Sequence, residues 1–364
     1  VLTVALDATP LLGARTGIGV AVESFFRSLA GRSEVEVTGY GLTARGWRQL
    51  AAQLPPGVRP TARPAPAGAL LRIWQRADGP PGEWWTGRAH VVHGTNYVVP
   101  PSRTAARLVS VWDLTPVRYP ELCTPTSRLY PGLVARALAG GAWVHTAAEA
   151  VADEIVEHFG VDRGRVRVVP PAVPRAPATQ ARPSGPPYVL GLGRTEPRKD
   201  FAGLVRAFDL LADNQPDLEL RLAGPPGWAE EELTAAVSAA RHRDRIRREG
   251  WVGDVSRLIA GAEVFAYPSR YEGFGLPPLE AMALGVPVVA TSAGAVPEVV
   301  GPAAVLVEPG DPAVLASALE AVITDRARRD ELVRAGRARA GEFSAERTAK
   351  GLISAYEDLA GSDR

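Results

Sequence analysis

Two acidic side chains in one short stretch are the first candidates for chemistry. Glu272 and Glu280 stand with seven residues between them within Pro268-Ser269-Arg270-Tyr271-Glu272-Gly273-Phe274-Gly275-Leu276-Pro277-Pro278-Leu279-Glu280-Ala281-Met282-Ala283. Gly273 and Gly275 leave the backbone uncovered, so a ligand could touch amide N–H groups there directly. The two prolines predict a short helix over 277–284, ended by Gly285, because Pro suits a first turn whose N–H groups lack partners. A helix opening on such a turn aims N–H groups and partial positive charge at one point, which suits a phosphate or sugar oxygen. With two carboxylates bracketing that point, the stretch fits a ligand with many hydroxyls and one diphosphate. Taken alone, such a turn is more often an ordinary buried helix with both glutamates solvated; the surrounding residues reverse that preference.

Those residues include Gly191-Leu192-Gly193-Arg194-Thr195-Glu196-Pro197-Arg198-Lys199-Asp200, which follows a predicted strand and precedes a predicted helix. The planar fork of Arg194 and the point charge of Lys199 could both reach a diphosphate at that strand end. Lys199 is one of only two lysines among 41 cationic residues, so its compact ammonium stands out in a chain built with arginine. A cation cluster by itself is more often a solvated face; paired with the Glu272/Glu280 turn it reads as a site. His93 ends a predicted strand, where a lone histidine is more often structural than functional.

The elements that must position these groups alternate between strand and helix. Residues 1–6 are an apolar run, followed by the turn Gly13-Ala14-Arg15-Thr16-Gly17-Ile18-Gly19 and a helical pattern through Val20, Phe25 and Leu29, the opening of a nucleotide-binding fold. Further strands are expected at 34–40, 89–93, 107–112 and 142–146, and helices at 43–54, 126–139 and 147–159. The segment 55–68, with five prolines and two glycines, reads as loop. Residues 170–187 hold seven prolines and read as a stiff linker and hinge. The alternation then restarts: strands at 188–192, 218–222, 248–252, 264–267, 286–290 and 304–307, with helices at 201–212, 229–240, 254–260 and 311–324. The pattern predicts an α/β protein of two Rossmann-like, doubly wound domains facing across a cleft, with ligands outside the carboxyl ends of the strands. The expected divisions are an N-terminal domain 1–175, the linker 170–187, a C-terminal domain 188–343 and a last helix, 344–364. That helix has Ala349, Leu352, Ile353 and Tyr356 on one face, and its placement, with a return to the first domain as one option, is not readable from periodicity.

A length of 364 residues suits two domains, and 46% hydrophobic with 22% charged residues is the composition of a soluble globular protein. The most apolar stretch, 285–307, is broken by Pro287, Pro297, Glu298 and Pro302, which argues against a membrane span. A single cysteine, Cys123, excludes an internal disulfide and a thiolate metal cluster. The N-terminal residues show no secretory signal, and cytoplasmic residence is the expectation. The net charge of +1 hides an asymmetry: 1–183 hold 20 Arg against 13 acidic residues, while 184–364 hold 21 cationic against 27 acidic. The basic front half fits an anionic partner, either a phospholipid surface or a polyprenyl-phosphate acceptor, and equally a solvated arginine-rich face. No nucleic-acid partner is expected.

Arg194 with Lys199, Glu272 and Glu280 within Glu-Gly-Phe-Gly-Leu-Pro-Pro-Leu-Glu-Ala-Met-Ala, then Gly-Val-Pro-Val-Val-Ala and Pro297-Glu298, resemble the retaining glycosyltransferases of family 4, with the GT-B fold. The resemblance covers most of 188–310. In the first half it rests on Gly17-Ile18-Gly19, His93-Gly94-Thr95-Asn96-Tyr97 and Trp112-Asp113-Leu114 before Pro120-Glu121. It implies a metal-independent hexosyltransferase with no cofactor, whose nucleoside diphosphate sugar is a substrate; no Asp-X-Asp pair stands here to hold a divalent ion. It further implies that Glu280 accepts from the ribose hydroxyls and that Arg194 and Lys199 hold the departing diphosphate. Glu272, with the donor-side backbone of Gly273, Phe274, Gly275 and Leu276, would orient the transferred sugar. Gly17 and Gly19 would lie near the phosphates, and Val252 would meet the base through its backbone. His93 would act near the anomeric centre through its carbonyl and not as a base. Asn96, Trp112 and Asp113 would face the acceptor, a carbohydrate or lipid-linked molecule.

One departure concerns that acceptor side. Where relatives commonly read Thr-X-His-Asp, this chain has Ser110-Val111-Trp112-Asp113, replacing an imidazole by an indole that only donates. Trp112 then either stacks on a sugar or fills space. On family frequency the expected donor is GDP-mannose, ahead of UDP-glucose and UDP-N-acetylglucosamine. The competing expectations are a sugar-nucleotide epimerase and a subunit that binds a sugar nucleotide without transferring it.

Overall fold

A computed structural model describes residues 1–13, 16–174 and 185–362. The chain divides into two compact units, the first formed by Val1–Ala172 together with the segment from Phe343 onward, the second by Val173–Glu342. Most of the expected linker, 175–184, and Ala14 and Arg15 of the first expected turn lie outside the described residues.

The first unit is built on seven parallel strands: β1 Leu2–Asp7, β2 Val35–Tyr40, β3 Arg59–Thr61, β4 Val91–Gly94, β5 Ala106–Ser110, β6 Trp143–Thr146 and β7 Val166–Val168. Their order is β3-β2-β1-β4-β5-β6-β7. The second unit has six parallel strands: β8 Tyr188–Leu192, β9 Glu219–Ala223, β10 Ile246–Gly250, β11 Val264–Tyr267, β12 Val288–Thr291 and β13 Val305–Val307. Their order is β10-β9-β8-β11-β12-β13, so both sheets reverse direction beside their first strand. The ends of β1 and β4, and of β8 and β11, flank the switch points where open α/β sheets take ligands.

Strand composition explains the layers. Val91, Val92, Leu108, Val109, Val264, Phe265, Val288 and Val289 are all buried, as strands covered on both faces by helices require. In the second unit Phe201, Leu204, Phe208 and Leu211 of the helix Phe201–Leu211 pack over Val189, Leu220 and Val264. In the first, Phe25, Phe26 and Leu29 of the helix Gly17–Leu29 are buried. The long helix Ala345–Ser362 buries Ala349, Leu352, Ala355, Tyr356 and Leu359 against that helix and against β1, β4 and β5. Thr348 donates to the Pro170 carbonyl at 2.9 Å, and Arg167 pairs with Asp358 at 3.1 Å.

Three local expectations need correction. The proline-rich 55–68 segment is not all loop: β3 pairs with β2 in register Gly39↔Pro60, and the helix Ala67–Trp74 begins within it. An edge strand tolerates Pro60 because one side of it needs no ladder donor. The expected helix 43–54 shrinks to a 3-10 turn, Trp47–Gln49, running into Leu50–Gln53. Gly17-Ile18-Gly19 is not a loop but the first turn of a helix, capped by Thr16, whose hydroxyl accepts from the Gly19 N–H at 3.1 Å.

Candidate active site

In the second unit, two loops converge on the β8/β11 switch point. The loop after β8 ends in the 3-10 turn Pro197–Lys199, and Asp200, in the left-handed region at φ 46°, caps the next helix by accepting from the Gly203 N–H at 3.1 Å. The loop after β11 crosses it, and the Arg270 N–H donates to the Arg198 carbonyl at 2.8 Å. Between them, Lys199 Nζ donates to Glu272 Oε1 at 2.6 Å and to the Tyr267 hydroxyl at 3.0 Å. Arg198 Nη1 lies 2.7 Å from Glu272 Oε2 and donates to the Tyr271 carbonyl at 2.9 Å. The carboxylate is thus gripped at both oxygens.

Burial governs the electrostatics. Glu272 is only 6% exposed and Lys199 9%. Burial alone pushes the Glu272 carboxyl up, but the Arg198 guanidinium and Lys199 ammonium outweigh it and bring its pKa down to about 2. Burial lowers the Lys199 pKa, Glu272 opposing and Arg198 reinforcing the shift. Gly294, at φ 58°, holds the Glu272 backbone: a Cβ there would sit 2.3 Å from the Glu272 carbonyl oxygen. Gly275, at φ 97°, turns the chain into the helix Leu276–Ala283, which carries Pro277 and Pro278 in its first turn and a half-buried Glu280 one turn in. A fixed ammonium, a guanidinium and a helix start at one switch point can hold an anion and stabilise charge that grows on it.

In the first unit, His93 is the next-to-last residue of β4 and has no exposed surface. Its Nδ1 lies 2.8 Å from the Tyr356 hydroxyl and its Nε2 2.8 Å from Ser110 Oγ; Ser110 Oγ lies 2.9 Å from His145 Nδ1, and His145 Nε2 2.9 Å from the Val169 carbonyl. The carbonyl can only accept, so every proton in the chain is assigned: His145 donates to Val169, Ser110 to His145, His93 to Ser110, and Tyr356 to His93. Burial lowers both histidines, His145 to about 4 and His93 well below its usual value, the latter also because of His145. The neutral His93 ring has no nitrogen left for a substrate.

Trp112 is buried, donates from Nε1 to the Thr95 carbonyl at 2.8 Å, and stacks on Phe25 with centroids 5.8 Å apart. That geometry favours the space-filling alternative. Asp113 is half-buried; its Oδ1 accepts from the Tyr97 hydroxyl at 3.1 Å and the Thr115 N–H at 2.8 Å. Tyr97, in the left-handed region at φ 58°, stacks on Tyr130 at 4.9 Å. Asn96, beside it, has a buried Oδ1 with no hydrogen-bond partner.

The family model "Glycosyl transferases group 1" matches residues 173–339. O-antigen chain mannosyltransferase B of Escherichia coli is 31% identical over 286 residues, 74% of either chain. The chain belongs to the glycosyl transferases group 1 family. It is a nucleotide-sugar glycosyltransferase with the GT-B fold. MMP alpha-(1->4)-mannosyltransferase of Mycolicibacterium hassiacum is 34% identical over 227 residues, 58% of this chain and only 53% of that relative. Sucrose-phosphate synthase of Thermosynechococcus elongatus shares the fold at 20% identity with a TM-score of 0.76, covering 99% of this chain and 100% of that one.

Within this glycosyltransferase, Lys199 and Glu272 meet, and Glu280 and the backbone of 273–276 stand on the same loop and helix. Arg194 is not brought to that pair: its guanidinium is half-exposed, 3.7 Å from Glu196 and 3.4 Å from the Pro226 carbonyl. Arg198 occupies the place beside Glu272 instead. Sequence reasoning passed it over although it adjoins Lys199 in the same cationic run. Val252 is half-buried in the loop after β10. Gly17 has open space at its Cβ position, whereas a Cβ on Gly19 would meet the Pro10 carbonyl oxygen at 2.8 Å, a packing reason for that glycine. Asp7, the last residue of β1, was also missed. Its buried carboxyl accepts from the Thr9 N–H at 2.9 Å and from the Thr9 hydroxyl, and burial pushes its pKa up to about 6 against those bonds. An acid directly after an apolar strand was the available signal. Among the described residues no cluster of His, Cys, Asp and Glu could hold a metal ion, and no helix is long and apolar enough to cross a membrane.

Proposed function

We propose that this glycosyltransferase moves mannose from GDP-mannose, with retention of anomeric configuration, onto a hydroxyl of a glycan or glycolipid in the cytoplasm. The buried Lys199 ammonium, held at the strand end by Glu272, carries the reading: it offers a fixed positive charge where a donor diphosphate would depart. In the reaction the bond from the anomeric carbon to the diphosphate breaks, the acceptor oxygen bonds to that carbon on the same face, and the acceptor proton passes to the departing phosphate oxygen. Glu280 accepts from the ribose hydroxyls, and Glu272 with the backbone of Gly273, Phe274, Gly275 and Leu276 orients the sugar. Arg194 and Arg198 add charge at the rim and beneath Glu272. Two relatives bearing mannosyltransferase names support the choice of sugar. On the acceptor side, the arginine excess of 1–183 supports an anionic acceptor or a peripheral lipid surface.

Calorimetry on Lys199→Ala and Glu280→Ala tests the donor site: each should abolish or greatly weaken binding of GDP. Unchanged affinity in both variants overturns the reading. A thermal-shift panel of GDP, UDP, TDP and ADP ranks the bases, since a ligand at a hundred times its Kd adds roughly 2.7 kcal/mol of stability. Release of nucleoside diphosphate with acceptor present separates transfer from epimerisation and from binding without turnover.

A further inference from the structure

The eight tryptophans fall into three groups. Trp74, Trp85 and Trp112 are buried, with each indole N–H donating to a backbone carbonyl. Trp47, Trp84 and Trp143 each carry an arginine guanidinium over the ring, at 4.9, 4.2 and 4.3 Å. Trp228 and Trp251 have neither: they are 50% and 59% exposed, and among the described residues no ring, cation or hydrogen-bond acceptor engages them. An exposed indole without such cover suits a binding surface, where its ring meets an apolar face and its N–H stays wet.

Their placement is specific. Trp228 lies in the loop that follows β9, and Trp251 directly follows β10, so both stand at the carboxyl edge of the sheet that carries Lys199 and Glu272. The 224–229 loop is pressed onto the loop after β8: a Cβ on Gly227 would lie 2.2 Å from the Thr195 carbonyl oxygen, and one on Gly224 would lie 2.0 Å from that of Gly193. The Thr195 N–H donates to Pro225 at 3.2 Å and the Ala229 N–H to Thr195 at 3.1 Å. The Gly224 N–H donates to the Gly250 carbonyl at 2.7 Å, which locks the two tryptophan loops together. The backbone of the Trp228 loop therefore borders Arg194, whose guanidinium lies 3.4 Å from the Pro226 carbonyl, and is tied to Gly250, the residue before Trp251.

We infer that Trp228 and Trp251 form an aromatic platform on which the donor's base stacks, and that this platform selects a purine nucleoside diphosphate over a pyrimidine one. The inference rests on the donor-site reading above. A fused purine overlaps an indole more fully than a single ring does, and stacking of a base on an aromatic side chain tolerates variation in hydrogen-bonding edges.

The test is calorimetry of the full chain, Trp228→Ala, Trp251→Ala and the double variant with GDP, UDP and inorganic pyrophosphate. Both residues are exposed, so the variants should keep the melting temperature. The expected result is GDP binding tighter than UDP in the unaltered chain, a roughly fivefold to hundredfold loss of GDP affinity in the alanine variants, and unchanged pyrophosphate binding. Trp→Phe variants should recover most of the loss. Equal GDP affinity in the double variant, or tighter binding of UDP than GDP, overturns the platform while leaving the diphosphate site standing. Failure of the unaltered chain to bind either nucleotide or pyrophosphate overturns both readings.

Discussion

Replacing Glu272 by Gln isolates the electrostatics of the site. The substitution keeps size and hydrogen-bonding oxygen but removes the charge shared by Lys199 and Arg198. The carboxyl has a pKa of about 2 in the folded protein against 4.5 when free. At about 1.4 kcal/mol per pKa unit this corresponds to about 3 kcal/mol of stability at neutral pH. The folded value is depressed, so the contribution is complete above pH 4.5 and is lost as pH falls toward 2. Urea unfolding of both proteins should therefore show the variant about 3 kcal/mol less stable at pH 7, with the gap narrowing to about 1 kcal/mol at pH 3. Equal stability at pH 7, or a gap of the same size at both pH values, would refute the reasoning.

Three further outcomes are expected. In Asp7→Asn, a buried carboxyl whose pKa is raised from 3.8 to about 6 is neutralised; its stabilising effect is complete below 3.8 and lost on the way to 6, so the variant should gain about 3 kcal/mol at pH 7. His145, lowered from 6.5 to about 4, works oppositely, losing about 3 kcal/mol as pH falls through that window, so Asp7→Asn should show a steeper fall in melting temperature between pH 6 and 4 than the unaltered chain. Tyr356→Phe strips the donor from His93 Nδ1 in a fully buried setting and should cost about 1–3 kcal/mol, measured by denaturant midpoint. Gly294→Ala combines an unfavourable φ of 58° with a Cβ contact of 2.3 Å to Glu272, and should lower both the melting temperature and GDP affinity.

The alternation of apolar runs with 3.6-residue periodicity made the second sheet and five strands of the first legible, because strands buried on two faces cannot hide their valines and leucines; the three-residue edge strands β3 and β7 are too short to show such a run. The Glu272 turn was legible for the same kind of reason: glycines and prolines constrain the backbone in few ways. Other features were not. The helix Arg326–Gly341 escaped notice because it is so rich in arginine that no apolar stripe shows. Arg198 and Arg194 are alike in sequence, and only the fold shows that the 3-10 turn Pro197–Lys199 delivers the former to Glu272. The proton chain from Tyr356 to Val169 joins residues far apart in sequence, which no local pattern can announce.

The helix Ala345–Ser362 has a consequence for synthesis. Strands β1 to β7 leave the ribosome first, yet the helix that covers β1, β4 and β5 follows only after all of Val173–Glu342 has been made. At roughly 5–20 residues per second that interval is on the order of ten to thirty seconds. During it the nascent first sheet lacks its apolar lid and His93 lacks a donor, while the uninterrupted second unit has all of its own chain. A stop codon a few positions inside the final helix would thus act on the earliest-made strands, and chaperone dependence should track the front half of the polypeptide.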